Sequence, residues 1–492
     1  MNTLKDFKRN FMGGAPDWYK GAIVLFLLAN VALRAVSPFW AGWALILEFI
    51  FTLVMALKCY PLQPGGLLAL EAVILGLATP ESVYEETRQN FPVILLLMFM
   101  VAAIFFMKEA LVHLFTGVIV KVRSKMAVSL IFLGLGAFLS AFLDALTVIA
   151  VMIAVATGFF EVYQRYASAA GEGDSDIQSA DRHKEDLDNF RGFLRNIMMH
   201  GAVGTALGGV TTLVGEPQNL LIGHLMGWNF PEFFIKSAPV TMPTLAIGFL
   251  TCAAVEALGV AGYGCRLPDK VREALAGHAA AQSLEIDGRE KLKIAVQVIM
   301  GAALILALAF HVAEVGLIGL SLIILLTTLN GVTDERQIGK AFQEALPFTA
   351  LLVVFFAIVA VIHQQDLFGN IIHWTMSLDG RAQLAAFYAA AGILSSISDN
   401  VFVATIYINE AKGAFDAGLI TREQFDLIAV AVNTGTNIPS VATPNGQAAF
   451  LFLLTSAIAG MIRLSYGRML ILALPYTITM TAVGFMAVWS LL

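Results

Sequence analysis

Apolar stretches close to the thickness of a bilayer core recur along almost the whole chain. We recognise twelve, at residues 20–36, 39–58, 62–79, 92–120, 125–160, 197–228, 237–259, 293–332, 346–364, 383–412, 427–462 and 469–491. Because about 20 apolar residues span a hydrocarbon core, the chain is predicted to be all-α and to cross a membrane many times. Charged residues are only 13% of the chain, whereas a soluble domain carries about a quarter. These features indicate a polytopic membrane protein.

The apolar stretches fall into two halves. We predict an N-terminal segment over residues 1–20, a first membrane half over 21–260 and a second membrane half over 294–492. Two polar stretches, residues 161–195 and 261–293, are predicted to be solvated loops, of which the second joins the halves. Basic residues before the first span favour a cytoplasmic N-terminus.

Composition and motifs argue against several function classes. The net charge of −6 and the scattered charges do not favour nucleic acid as a partner. The chain contains no GxxxxGK[ST] pattern, so pumping driven by a nucleotide has no support. Cys59, Cys252 and Cys265 lie far apart without CxxC spacing, which indicates neither a metal site nor a disulfide framework. We expect no enzymatic activity and no cofactor.

Each half contains an aspartate in a similar apolar segment. Residues 139–148 contain Asp144, and residues 394–403 contain Asp399. Aligning the two aspartates also matches the first two residues and the last residue of the segments, Leu-Ser and Val. The halves therefore look like an internal duplication.

A segment rich in glycine, proline and polar residues follows each aspartate. These segments are residues 204–219 and 433–446, and we pair Pro217 in the first with Pro444 in the second. Interrupted apolar segments at corresponding places in two halves are typical of transporters whose substrate site lies between repeats near the membrane midplane. The pattern predicts a secondary transporter.

The residue types at these segments favour a monovalent cation. A helix break survives in hydrocarbon only where protein or a water-filled cavity satisfies its backbone, and freed carbonyls are hard ligands suited to sodium. An aspartate in a span costs about 2.5–3.5 kcal/mol, so it is kept mainly where it pairs or works. We predict that Asp144 and Asp399 bind sodium and protons in competition. Supporting oxygen ligands are expected from Ser140, Thr147, Asn219, Ser395, Ser398, Asn400, Asn433, Thr436, Asn437 and Asn445.

Structural explanations compete with these functional ones. Asp144 or Asp399 could cap a helix or pair with a buried base such as Lys108, but their symmetric placement argues for function. Glu71 lies in an apolar run and has no counterpart in the other half, so both explanations stand equally. Glu216 could be a gate carboxylate or a solvated loop tip, and we favour the loop tip.

The chain resembles the NhaB sodium/proton antiporters of bacteria over nearly its whole length. The resemblance is carried by residues 56–62, 140–147, 214–219, 395–402 and 433–449. It implies electrogenic export of sodium, and of lithium, driven by proton entry. It also implies two inverted repeats, each with a re-entrant hairpin and an unwound helix, arranged as scaffold and transport domains in a homodimer.

The hairpin tips implied by the resemblance differ from those of carboxylate-transporting relatives. They fall on Ser140 to Thr147 and Ser395 to Asn400, where those relatives carry Ser-Asn-Thr and this chain carries an aspartate. This departure favours a cation as the only cargo. A sodium-coupled carboxylate symporter, and a channel or arsenite-type anion carrier, remain as alternatives. Only an exchanger should dissipate an imposed pH gradient when sodium alone is added.

Overall fold

Helices form nearly all of the described chain. The computed structural model describes residues 6–7, 9–171, 177–285, 287–369, 374–375, 377–378 and 380–492, and no strand occurs among them. The helices of the first half are α1 (Asp17–Val36), α2 (Pro38–Val54), α3 (Leu62–Ile74), α4 (Pro80–Gln89), α5 (Phe91–Phe105), α6 (Lys108–Lys121), α7 (Lys125–Ser140), α8 (Ala145–Gly171), α9 (Ile177–Gly209), α10 (Pro217–Met226), α11 (Phe230–Leu258) and α12 (Asp269–Glu285). Those of the second half are α13 (Gly288–Ala309), α14 (Val315–Asn330), α15 (Glu335–Gln364), α16 (Gly380–Ile397), α17 (Asn400–Asp416), α18 (Arg422–Asn437), a 3₁₀ turn (Pro439–Ala442), α19 (Ala448–Thr455), α20 (Ala457–Met461) and α21 (Tyr466–Leu491).

Six of the described helices are long and apolar enough to cross a membrane. They are α1, α8 up to Arg165, α11, α13, α15 from Ala345 onward, and α21. Helices α4 and α5 meet at a bend of 56° and together would make a seventh, broken span. Large apolar side chains such as Leu25 on α1 and Ile299 on α13 are more than half exposed, as expected of faces that contact lipid. The prediction of an all-α, multi-pass membrane protein is confirmed.

Several long apolar segments are broken, as their polar interruptions suggest. The segment 92–120 is divided, because α5 ends at Phe105 and α6 begins at Lys108. The segment 125–160 is divided between Ser140 and Ala145, and the segment 383–412 between Ile397 and Asn400. Both of these breaks contain one of the two aspartates.

Most of the described residues in the two polar stretches are helical, although both stretches were predicted to be loops. Helix α8 continues to Gly171 and α9 begins at Ile177, leaving residues 172–176 outside the described part. Within 261–293, helix α12 forms over an alanine-rich sequence of strong helix formers. Arg272 on α12 donates to the carbonyl of Val122 at 2.9 Å, which ties α12 to the end of α6. Polarity alone therefore did not distinguish a helix from a loop in these stretches.

Glycines allow α7 and α9 to pack backbone against backbone. A Cβ atom at Gly204 would overlap the backbone of Leu133, and one at Gly208 would overlap that of Ala137. The second half shows a similar approach, since a Cβ at Gly435 on α18 would lie 2.7 Å from the carbonyl oxygen of Tyr388 on α16. Small residues at such crossings permit the close contact by which membrane helices associate.

The same contacts reveal how positions in the halves correspond. A Cβ at Gly215 would lie 2.7 Å from the backbone carbonyl oxygen of Ser140, and one at Gly446 would lie 2.8 Å from the backbone carbonyl oxygen of Ser395. Gly446 therefore stands where Gly215 does, and the next helices begin two residues later, α10 at Pro217 and α19 at Ala448. The sequence pairing of Pro217 with Pro444 is wrong by four residues. The sequence comparison aligned the two segments by a proline that both contain. In the structure, the two segments correspond at the glycines, where no side chain would fit.

We predict that Gly208→Ala destabilises the protein by about 1–3 kcal/mol, the usual cost of forcing extra atoms into a packed interior. The reason is the overlap with the backbone of Ala137, which cannot move aside as a side chain can. Thermal unfolding of the purified protein in detergent measures the effect. The matched control is Gly158→Ala on α8, where a Cβ would meet nothing within 4 Å. Equal unfolding midpoints for the two variants would contradict the packing argument.

Candidate ion-binding site

Four helix N-termini meet at one small cavity. The cavity is lined by Asp144, Leu146, Glu216, Pro217, Gln218, Asp399, Asn400, Val401, Gly446 and Ala448. These residues stand at the starts of α8, α10, α17 and α19, the four helices that follow the breaks. The cavity has room for about one water-sized particle. It is therefore suited to an ion that has lost most of its hydration shell.

Both aspartates cap the helix that follows them. Asp144 is buried and its Oδ2 accepts a hydrogen bond from the Thr147 backbone N–H at 3.2 Å. Asp399 is the N-cap residue of α17, and its Oδ1 accepts from the N–H groups of Val401 at 2.8 Å and Phe402 at 3.3 Å. The capping explanation is thus correct in geometry. It does not account for the position of both side chains at the same cavity.

Neither aspartate is neutralised by a basic side chain. Among the described residues, no ion pair involves Asp144, Asp399 or Lys108. Among the described residues, the hydrogen bonds to Asp399 fall on Oδ1, which leaves Oδ2 for a cation. A carboxylate held in this way keeps its charge available for a bound ion or proton.

Glu216 is a third carboxylate at the cavity. Its side chain is only 5% exposed, so the sequence-based preference for a solvated loop tip is wrong. It stands immediately before Pro217 at the start of α10 and lies within electrostatic range of both aspartates. The sequence signal was present in the Gly-Glu-Pro-Gln-Asn run, but only the packing of this break against the second half shows that Glu216 is buried.

The cavity combines helix dipoles and carboxylates of opposite sign. Each helix N-terminus carries about half a positive charge and by itself attracts anions. Carboxylates stand at three of the four N-termini, whereas Gly446 and Ala448 line the fourth. The ionised carboxylates therefore outweigh the helix ends and convert an anion-binding arrangement into one that attracts a cation.

Buried amides join the two halves behind the cavity. Gln218 Nε2 donates to Asn437 Oδ1 at 2.7 Å, and Asn437 Nδ2 donates to Asn219 Oδ1 at 3.3 Å. Asn219 Nδ2 in turn donates to the carbonyls of Gly209 and Thr212, both at 2.7 Å. These bonds satisfy backbone oxygens freed at the break between α9 and α10. Gln218 was not among the residues that the sequence singled out.

Asn433 and Thr436 belong to the same buried part of α18. Asn433 Nδ2 donates to the Val210 carbonyl at 3.3 Å, and Thr436 Oγ1 donates to the Val432 carbonyl at 3.0 Å. Asn433 thus contacts the backbone between α9 and α10, whereas Thr436 contacts the backbone of its own helix, and neither residue lines the cavity. Their predicted role as ion ligands stays a prediction.

The second aspartate segment supplies further oxygens close to the cavity. Asn400 lines the cavity and hydrogen-bonds with the Ser395 hydroxyl, which also donates to the Thr436 carbonyl at 2.7 Å. Ser398 donates to the carbonyl of Leu394 at 2.8 Å. Of the predicted supporting ligands, Asn400 is the one that lines the cavity directly.

Three other predicted ligands lie in different surroundings. Ser140 is fully buried and its hydroxyl has no hydrogen-bond partner among the described residues, but it does not line the cavity. Thr147 contributes its backbone N–H to Asp144. Asn445 donates to the carbonyls of Leu53 and Val54 at the end of α2, at 3.2 and 2.9 Å.

Glu71 lies in a separate buried cluster. Asn30 Nδ2 donates to Glu48 Oε2 at 2.6 Å and to Glu71 Oε2 at 2.9 Å, which joins α1, α2 and α3. Glu71 does not line the cavity that holds the aspartates. Its pairing with Glu48 through Asn30 was not predicted from the sequence.

A second buried polar cluster surrounds His200 on α9. Its Nε2 lies 2.9 Å from Glu256 Oε1, and its Nδ1 lies 2.6 Å from the Tyr476 hydroxyl. Ser129 donates to the same Glu256 oxygen at 3.1 Å. This cluster ties α7, α9, α11 and α21 together outside the cavity.

Comparison with known proteins identifies the family. The family model described as "Bacterial Na+/H+ antiporter B (NhaB)" matches residues 1–492. The chain belongs to the NhaB family. A protein of Saccharophagus degradans named Na(+)/H(+) antiporter NhaB is 61% identical over 483 residues, which cover 97% of each chain. Proteins of the same name are 60% identical in Teredinibacter turnerae, over 100% of this chain and 99% of the relative, and 59% identical in Escherichia coli, over 98% and 94%.

We predict that Gln218→Ala lowers the stability of this NhaB-family protein by about 1–3 kcal/mol, because it leaves the buried Asn437 Oδ1 without its donor. Thermal unfolding in detergent measures the loss. The control is Gln337→Ala, since Gln337 is exposed at the start of α15. If both variants unfolded at the wild-type midpoint, the bridge between the halves would not be a stabilising contact.

Proposed function

We propose that the protein is a secondary transporter that exports sodium, and lithium, across the bacterial inner membrane in exchange for protons. Membership of the NhaB family supports this function, since the relatives carry antiporter names. The observation that carries the proposal is the meeting of Asp144 and Asp399, from separate helix breaks, at one small cavity.

The proposed mechanism is competition for the same carboxylates. An uncompensated carboxylate is costly in a water-poor site, so each aspartate is stable there with either a proton or a sodium ion. When the site faces the periplasm, protons displace sodium, and when it faces the cytoplasm, protons leave and sodium binds. Because an empty, ionised site is unfavourable within the membrane, the loaded forms cross and the exchange stays coupled.

Oxygen ligands near the aspartates complete the proposed sodium site. Sodium is a hard cation, and Asp144, Asp399 and Asn400, which line the cavity, would supply carboxylate and amide oxygens. The backbone carbonyls of the break add further oxygen. None of these groups is a soft ligand that would favour a transition metal.

We also propose that the exchange is electrogenic and that the halves are inverted repeats with re-entrant hairpins at the two aspartates. The matching contacts of Gly215 with Ser140 and of Gly446 with Ser395 support a repeat. In this arrangement the repeats form a scaffold and a transport domain, the N-terminus lies in the cytoplasm, and two copies assemble as a homodimer. The predicted electrogenicity follows from two carboxylates that need not carry equal numbers of sodium ions and protons.

We expect Asp144→Asn and Asp399→Asn each to abolish exchange while the protein still inserts. Asparagine caps a helix about as well as aspartate, so the substitution separates the capping role from the charge. Sodium is added to proteoliposomes that hold an imposed pH gradient, and dissipation of the gradient is followed by a pH-sensitive dye. Replacement by glutamate should leave partial activity with altered sodium affinity.

The control for these variants is Asp416→Asn. Asp416 pairs with Lys412 on an exposed surface of α17, away from the cavity, and should retain wild-type exchange. Near-normal exchange by both cavity variants, with insertion verified, would refute the shared-site mechanism and direct attention to Glu71.

Acidification is expected to raise the apparent KM for sodium, because protons occupy the same carboxylates. The rise should reach up to about tenfold per pH unit for each competing proton. Saturating sodium should largely restore the maximal rate. Initial rates of exchange at several pH values and sodium concentrations measure both quantities. An unchanged KM with a falling maximal rate would indicate that protons act at a separate site.

A further inference from the structure

The carboxylate of Glu216 lies in the cavity with one oxygen that lacks a hydrogen-bond partner among the described residues. Its side chain is buried, it lines the cavity, and its Oε1 atom has no hydrogen-bond partner among the described residues. Gly209 leaves the space it occupies, because a Cβ there would lie 2.9 Å from Glu216 Cγ and 3.0 Å from Oε1. A buried acceptor without a donor is unfavourable, and more so when it is charged. This carboxylate therefore requires a proton or a cation.

The corresponding position in the second half carries no charge. Gln447 follows Gly446 as Glu216 follows Gly215, and each precedes the first residue of the next helix. Gln447 Nε2 donates to the Asn437 carbonyl at 3.0 Å and to Ser440 Oγ at 2.8 Å, so its amide stabilises the break between α18 and α19. The halves thus match in their aspartates and differ here, where one supplies a carboxylate and the other a donor.

The charge balance of the cavity depends on this difference. Four helix N-termini carry together about two positive charges, which the two ionised aspartates roughly cancel. A third ionised carboxylate makes the cavity negative and able to hold a cation. The charged groups acting on Glu216 are Asp144 before α8 and Asp399 before α17. Glu216 is therefore the group whose ionisation decides whether the cavity attracts a cation.

Glu216 and the two aspartates do not together form one metal centre. Within the described part of the chain, no three His, Cys, Asp or Glu side chains are close enough together to hold one metal ion. The three carboxylates line one cavity but do not converge on one point. The cavity has room for about one water-sized particle, which a sodium ion at the aspartates would fill, so the cation left for Glu216 is a proton.

We propose that Glu216 is a third cation-binding carboxylate of the transport cavity, which takes up a proton as sodium leaves and adds one proton to each exchange cycle. This inference rests on the proposed exchange at Asp144 and Asp399. The proton goes from bulk water on the side where sodium is released to a carboxylate oxygen of Glu216. It returns to water on the other side when sodium binds and Glu216 ionises.

The decisive experiment counts the protons that sodium displaces. Purified wild-type protein and Glu216→Gln in weakly buffered detergent are titrated with sodium chloride, while a pH-sensitive dye measures proton release and calorimetry measures sodium binding. We expect Glu216→Gln to bind sodium more weakly, by about tenfold or more, and to release one proton fewer per binding event. The matched control is Glu256→Gln, a buried glutamate outside the cavity, which should release the wild-type number.

Two results would overturn the inference. Equal proton release from Glu216→Gln and wild type would show that Glu216 does not exchange a proton. Complete loss of sodium binding by a folded Glu216→Gln protein would make Glu216 a ligand of the sodium ion itself. The proposed function is tested separately, because normal exchange by the aspartate variants would remove the shared site whatever Glu216 does.

Wild-type protein decides the matter if Glu216→Gln does not insert. A hydrophobic carbodiimide modifies protonated carboxyl groups within membranes, and mass spectrometry locates the product. We expect modification at Glu216 that increases on acidification and is prevented by sodium, while modification of Glu256 does not respond to sodium. Modification of Glu216 that is absent, or insensitive to sodium, would overturn the inference.

Discussion

A backbone group inside a bilayer must find its hydrogen-bond partner within the protein, and the whole ion-binding region depends on this constraint. Helices that stop in the middle of apolar segments free carbonyl oxygens that lipid cannot satisfy. Here the amides of Asn219, Asn433 and Gln447 donate to those oxygens. Asn433 belongs to the second half and donates to the break between α9 and α10 in the first. The hydrogen bonds that satisfy the backbone therefore also hold the halves together.

Close backbone packing makes this exchange of hydrogen bonds possible. The contacts of Gly204 with Leu133 and of Gly435 with Tyr388 bring the interrupted helices against the aspartate segments. The breaks then point their following helices toward one cavity. Four positive helix ends without side-chain charge would bind an anion, which explains why carboxylates at the same ends change the cargo that the arrangement favours.

In the proposed mechanism, the aspartates combine structural and transport roles in the same side chains. Asp399 caps α17 through Oδ1 while its other oxygen remains available, so one residue orders the helix and presents charge. Capping also fixes the carboxylate, which limits how it can be displaced when its ion leaves. A site of this kind binds and releases small cations without rearranging the helix that it begins.

Composition and local pattern were sufficient to predict the membrane class and the helical fold, because apolar length is a property of a short segment. They also singled out Asp144 and Asp399, whose role in transport stays a prediction. The burial of Glu216, the bridge made by Gln218 and the correct pairing of the breaks were decided by tertiary structure. Each depends on which distant segment packs against the break. The local sequence of a glutamate beside glycine and proline is the same whether the side chain is in solvent or in a cavity. Only the packing of the second half of the chain against it excludes water.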